Sequence, residues 1–141
     1  MALGRWQLLF AGVLMLVPGC GKGVTDAIDA QVRAGATTVD IGHLTDFNWD
    51  RLFVFGPYSF PEMICSDLGL SSSECSAAGF ENVDEGHFLL TFMKGRTISY
   101  RETFSRFTGN FDKGCLEKAI PRAEAQLAIE RRAGGSAYLV C

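Results

Sequence analysis

Asn48-Trp49-Asp50-Arg51-Leu52-Phe53-Val54-Phe55-Gly56-Pro57-Tyr58 is the stretch that decides the fold. Leu52 to Phe55 is apolar at every position and is stopped by Gly56-Pro57, so residues 51–55 read as a central strand covered on both faces. Such a strand needs partners with a period of two, and the downstream sequence supplies them. Phe88, Leu90 and Phe92 share one face, Lys94-Gly95 provides a turn, and Ile98, Tyr100 and Phe104 continue the alternation on the return, which predicts a β-hairpin. Residues 121–132 favour a helix by propensity. Ala125, Leu127 and Ile129 nevertheless alternate with Glu124, Gln126, Ala128 and Glu130, and period outranks propensity. With Gly134-Gly135 as the turn and Tyr138 and Val140 beyond it, a second hairpin follows.

Upstream, Thr38-Val39-Asp40-Ile41 alternates as a short strand, and Val24, Ile28 and Val32 at helical spacing before Gly35 predict a helix over residues 25–34. Ser59-Phe60-Pro61-Glu62 has the serine and glutamate of a capping box with proline in the first turn, and Phe60, Ile64 and Leu68 mark the buried stripe of the helix that follows. Gly69-Leu70 reads as its left-handed cap. Residues 71–79 are small and polar and read as a loop. The fold class is therefore α+β, an antiparallel β-sheet built from hairpins with two short helices packed on one face.

The amino-terminal end reads as an address rather than as fold. After Arg5, residues 6–17 hold one polar side chain, Gln7, and lead into Pro18-Gly19-Cys20. A helix of twelve residues rises only about 18 Å against roughly 30 Å of hydrocarbon, so a secretory leader is the better reading than a transmembrane span. Leu16-Val17-Pro18-Gly19-Cys20 resembles the bacterial lipobox, which implies cleavage before Cys20, a diacylglycerol on its thiol and an anchor of acyl chains such as palmitate. The resemblance divides the chain into a signal peptide at 1–19, a lipidated tether and short helix at 20–35, and one α+β domain at 36–141. Gly21, where an aspartate would favour inner-membrane retention, implies the outer membrane facing the periplasm in a Gram-negative envelope.

Cys65, Cys75, Cys115 and Cys141 remain once Cys20 is assigned to lipid, an even number in a chain routed out of the cytoplasm. Of the three connectivities, Cys65 to Cys75 with Cys115 to Cys141 is favoured, because the first closes a short loop. C-x₉-C and C-x₂₅-C lack the close pairs that grip zinc. Charge is unevenly spread: residues 20–92 carry 3 basic and 11 acidic side chains, and residues 93–141 carry 9 and 5. The excess of acid argues against nucleic-acid binding, and the asymmetry predicts charges crossing between strands of the two halves.

About 122 residues after cleavage, in a chain that is 48% hydrophobic and 21% charged, suit one globular domain and exclude a multidomain enzyme. No nucleophile elbow or phosphate loop occurs. His43 lies near Asp40 and Asp46, and His87 follows Asp84 and Glu85, but neither has a motif; each reads as a local turn or loop residue. Asp46-Phe47-Asn48-Trp49-Asp50 opens like a calcium loop, yet Arg51 and Pro57 stand where glycine and the bidentate glutamate are required. No cofactor and no metal site is expected.

The segment at residues 49–58 fits W-D-x-[LV]-x-[VI]-F-x-P-Y and resembles a family of small, uncharacterised bacterial lipoproteins and secreted proteins. That resemblance implies a small α+β domain and carries no catalytic assignment. Most of the nearby rings belong to the core, while Trp49 and Tyr58, flanking the strand, are the candidates for a partner-binding patch. Arg51 reads as the partner of a local carboxylate. The expectation is a lipid-anchored extracytoplasmic protein, noncatalytic, that binds an envelope protein or supports the envelope. The alternative is a proteinaceous inhibitor of an extracytoplasmic hydrolase acting through the loop at 71–79, and a small enzyme using His43 or His87 is the third reading.

Overall fold

The computed structural model describes residues 23–141; the leader, Cys20 and the Gly21-Lys22 start of the tether lie outside them. The central strand is β2, Arg51–Phe55, preceded by helix α1 (Val24–Arg33), strand β1 (Thr38–Asp40) and the single turn α2 (Ile41–Leu44). Helices α3 (Pro61–Leu68) and α4 (Ser72–Ala78) follow, then β3 (His87–Lys94), β4 (Thr97–Ser105), β5 (Asn110–Phe111), β6 (Ile120–Pro121), β7 (Gln126–Arg131) and β8 (Ala137–Val140). The chain is α+β, and both hairpins form where the alternation places them: β3 pairs antiparallel with β4, and β7 with β8.

The strands divide over two four-stranded sheets, ordered β4-β3-β2-β6 and β1-β7-β8-β5, with β5 and β8 running parallel. Periodicity shows that strands exist but not which sheet receives them. Leu52 and Val54 of β2, with Phe88, Leu90 and Phe92 of β3, enter the main core together with Leu127, Ile129 and Leu139 of the other sheet. Phe53, Phe55, Leu89 and Met93 point the opposite way, into a second core closed by Ile64 and Leu68 of α3. That double coverage is why the run 52–55 has no polar face. Val24, Ile28 and Val32 sit in the main core too, so the helix grouped with the tether packs into the body of the fold.

Several local expectations are corrected. Ser59 does not cap α3; Phe60 is the residue before the helix, and the buried Ser59 hydroxyl donates to the Gly56 carbonyl at 2.8 Å. Phe60 is half exposed rather than part of the buried stripe. Residues 71–79 are not a loop but helix α4 with a full capping box: Ser71 Oγ accepts from the Glu74 N–H and Glu74 Oε1 accepts from the Ser71 N–H. Its small polar residues have no apolar stripe for a periodicity reading to detect. Ile41 starts α2 instead of extending β1, because the Asp40 side chain accepts from the His43 N–H. Ile98 leaves the face it was assigned to: the register shifts between Phe92 and Met93, which pairs Met93 with Ile98 and turns it toward the second core.

Cross-half attraction also takes an unexpected form. Arg96 does pair with Glu74 at 2.7 Å, but most arginines of the basic half bind backbone oxygens of the acidic half. Arg101 reaches the Ala78 carbonyl ending α4, Arg131 the Val32 carbonyl in the last turn of α1, and Arg122 the Gly42 and Phe47 carbonyls at 2.8 and 3.1 Å. Cations placed at helix C-termini satisfy orphan carbonyls and complement the helix dipole. Cys65–Cys75 ties α3 to α4 and Cys115–Cys141 ties the turn after β5 to the end of β8, with Cα separations of 5.6 and 5.3 Å.

Among the described residues one buried side-chain group is left unsatisfied. The Thr91 hydroxyl on β3 is fully buried without a hydrogen-bond partner. Thr91→Val keeps the shape and removes the desolvated hydroxyl, and is expected to raise stability by about 1 kcal/mol. Urea unfolding with an unchanged slope reads this directly; a loss of stability would contradict it.

Candidate functional site

The two residues assigned to a binding patch part company. Trp49 is 2% exposed, stacks edge-on against Phe92 at 5.0 Å, lies under the Arg122 guanidinium, and donates its indole N–H to Thr45 Oγ1 at 2.8 Å. A side chain so enclosed presents nothing to a partner, which corrects its assignment. Tyr58 is 72% exposed, and its place in the chain explains why. The turn after β2 puts Tyr58 at φ 69°, a left-handed conformation that costs a non-glycine residue of order 1 kcal/mol or more. The Tyr58 N–H donates to the Val83 carbonyl at 2.7 Å, and Val83 N–H returns to Ser59. The strained turn is thereby clamped with its ring outward. The hydroxyl donates to Glu85 Oε2 at 2.9 Å, and this bond to the carboxylate holds the phenol above its usual titration range.

Opposite Tyr58 lies a residue the sequence reading passed over. Phe107 is fully exposed at the tip of the β4–β5 connection. Its turn is tight: Thr108 N–H donates to the Ser105 carbonyl at 3.0 Å and Phe107 N–H to Ser105 Oγ at 3.2 Å. Gly109 then passes so near the Ala137 carbonyl that a Cβ would sit 3.2 Å from it. Arg106, beside Phe107, donates from Nε to Asn110 Oδ1 at 3.1 Å and from a terminal nitrogen to the Glu85 carbonyl at 3.0 Å. Tyr58, Glu85, Arg106, Phe107 and Asn110 thus line one open notch of about 380 Å³. A groove of about 670 Å³ continues from it, with Phe88, Phe111, Leu116 and Tyr138 in its lining and Lys113 and Arg132 beside them. Arg132 lies 3.9 Å from the Tyr138 ring centroid and binds Asp112 at 2.9 Å, and that bond holds the Asp112 carboxyl below its usual range. The available signal in the sequence was an aromatic residue, Phe107, inside an Arg-Phe-Thr-Gly turn where polar residues are the rule.

The two histidines do not meet. His43 Nδ1 lies 2.6 Å from Asp40 Oδ2 on α2, and His87 Nδ1 lies 2.7 Å from Asp84 Oδ1 at the start of β3. These bonds hold both aspartates below the usual carboxylate range. Asp84 also accepts from Gly86 N–H at 2.8 Å, so its oxygens close the local turn. Among the described residues no three His, Cys, Asp or Glu side chains converge on one point. Asp50, from the calcium-like segment, accepts from Gly95 N–H at 2.9 Å across the hairpin turn and from Arg51 Nε at 3.3 Å. Arg51 accordingly has the local carboxylate partner its position suggests. The segment 71–79 assigned to enzyme inhibition is a capped helix stapled to α3, so no extended loop exists there to enter a cleft.

No family model, curated protein or solved structure matches the chain.

Proposed function

We propose that the protein is a lipid-anchored extracytoplasmic domain, noncatalytic, that binds a partner in or on the bacterial cell envelope. The observation that carries the reading is the distribution of cysteines. Cys65, Cys75, Cys115 and Cys141 are used up in two disulfides, the bonding of an oxidising compartment, and the fifth, Cys20, follows the largely apolar run 6–17 after Pro18-Gly19. One acyl chain holds a protein at a bilayer only marginally, whereas the two or three of a lipoprotein cysteine hold it stably. Among the described residues no helix is long and apolar enough to cross a membrane. The exposed notch between Tyr58 and Phe107 supports binding as the task of the anchored domain.

Fractionation of native cells tests the anchor. The wild-type chain is expected in the membrane pellet, and Cys20→Ser in the soluble extract or as an unprocessed precursor. A Cys20→Ser chain that is processed and sediments with membranes as the wild type does would overturn the reading.

A further inference from the structure

We infer that the notch between Tyr58 and Phe107 docks an acidic segment of another envelope protein, seating one of its apolar or aromatic side chains between the two rings. The inference deepens the binding reading above and rests on it. Three observations select this occupant. First, of the large apolar side chains exposed among the described residues, Tyr58 and Phe107 border the same depression, and each is held outward by a hydrogen-bonded turn. Preordered aromatic rings beside an arginine are the composition of interface hot spots, because they bury much area for little loss of side-chain freedom.

Second, the charge around the notch is opposite to that of the chain. The sequence as a whole is acidic; the notch itself holds Glu85 beside Arg106, but over the notch and its two adjoining grooves five basic side chains, Arg33, Arg106, Lys113, Arg131 and Arg132, outnumber the acidic Asp29, Glu85 and Asp112. Arg106, Lys113 and Arg131 have no carboxylate within ion-pair distance among the described residues; Arg106 and Arg131 bind backbone or amide oxygens instead. Carboxylates on a partner would find an excess of cations there, some of them outside any ion pair, which favours encounter and register.

Third, position separates a protein partner from the bilayer. From Cys20 to Val24 the chain spans at most roughly 14 Å, which limits how far a lipid on Cys20 is attached from the start of α1. Asp29, Val32 and Arg33, in the second half of that helix, line the groove next to Phe107, and ten helical residues put the two ends about 15 Å apart. Near the anchored end the Thr25 N–H binds Glu102, and Asp46 lies beside Gly23 and Val24. Glu102 and Asp46 thus flank the start of α1, and Arg33 and Arg131 its end, a separation that suits an aqueous acidic partner better than anionic lipid.

The test is site-specific photocrosslinking of the full-length chain in native cells, with p-benzoylphenylalanine replacing Phe107, Tyr58 or, as control, the exposed Ala77 of α4. Positions 107 and 58 are expected to give the same protein adduct, absent at 77, whose mapped crosslinked peptide carries Asp or Glu beside an apolar residue. Arg106→Glu combined with the probe at 107 is expected to lower the yield at least tenfold, and Arg106→Lys to keep most of it. Adducts only to lipid, a mapped peptide that is basic, equal labelling at 77, or insensitivity to Arg106→Glu would each overturn the proposal. Membrane fractionation of the same cells keeps the two questions apart: a lost adduct with the chain still in the membrane pellet fails the docking site alone, and a kept adduct with the chain in the soluble fraction fails the anchor alone.

Discussion

Phe92→Ala is expected to lower the free energy of unfolding by about 3–5 kcal/mol, a large share of the roughly 5–15 kcal/mol that holds a domain of this size. Phe92 has no exposed surface and is the ring on which others converge: Phe47 at 5.2 Å, Trp49 at 5.0 Å and Tyr100 at 6.2 Å between centroids. Two of these contacts are edge-to-face, the arrangement the ring quadrupole favours. Phe92 also sits mid-strand on β3, between β2 and β4, so collapse around the void is limited by backbone paired on both sides. Thermal unfolding should fall by roughly 10–20 °C. Phe92→Leu, which fills most of the volume, should lose much less. A melting temperature unchanged by Phe92→Ala would mean that the main core is not where the structure puts it.

Removing the Cys115–Cys141 bridge with paired alanines is expected to cost about 3.5 kcal/mol, against about 2.7 kcal/mol for Cys65–Cys75, if each acts by limiting the unfolded chain. The difference follows from sequence separations of 26 and 10. Position reinforces it. Cys115 is fully buried in the main core, and its partner fixes the end of β8, a strand that lies between β7 and β5. Cys65–Cys75 joins two short helices at the outer face of the second core. Paired urea titrations should therefore rank the two double variants in that order, and the reverse order would contradict the account. Dithiothreitol on the wild type should reproduce the sum.

The parts of the fold legible in the sequence are those where burial writes a period into the side chains. Leu52-Phe53-Val54-Phe55 announces a strand filled on both faces, and Ala125, Leu127 and Ile129 overrule the helix-forming residues around them; the structure has all three buried. Helix α4 escaped because it buries no stripe, although Ser71 and Glu74 spelled its capping box at the spacing then credited to Ser59 and Glu62. Which box is real depends on where the chain is extended: the Ser59 hydroxyl is consumed by Gly56, three residues back. The candidate site was half legible. Tyr58 drew notice as a ring beside a strand end, but its left-handed backbone is set by the Val83 contact, which lies far along the chain. Trp49 carried the same local signal and turned inward because Thr45 and Phe92 complete a pocket around it. Phe107 gave no period, only an apolar residue out of place in a turn. Nor does any local rule bring Arg106, twenty-one positions from Glu85, to the same notch.

Strands of the two halves do pair, β1 with β7, β2 with β6 and β3 with β4, but among the described residues no ion pair crosses those strands. Guanidinium groups of the basic half cap carbonyls that end α1, α2 and α4, and these caps are invisible to any count of opposite charges.

The account depends most on Cys20, and one measurement addresses it: intact mass, with peptide mapping after alkylation under non-reducing conditions, of the protein isolated from envelopes of its native host. The predicted result is a chain beginning at Cys20, heavier by a thioether-linked diacylglycerol, with no alkylation at Cys65, Cys75, Cys115 or Cys141. A chain beginning at Met1 with alkylated cysteines would contradict both the anchor and the oxidising compartment.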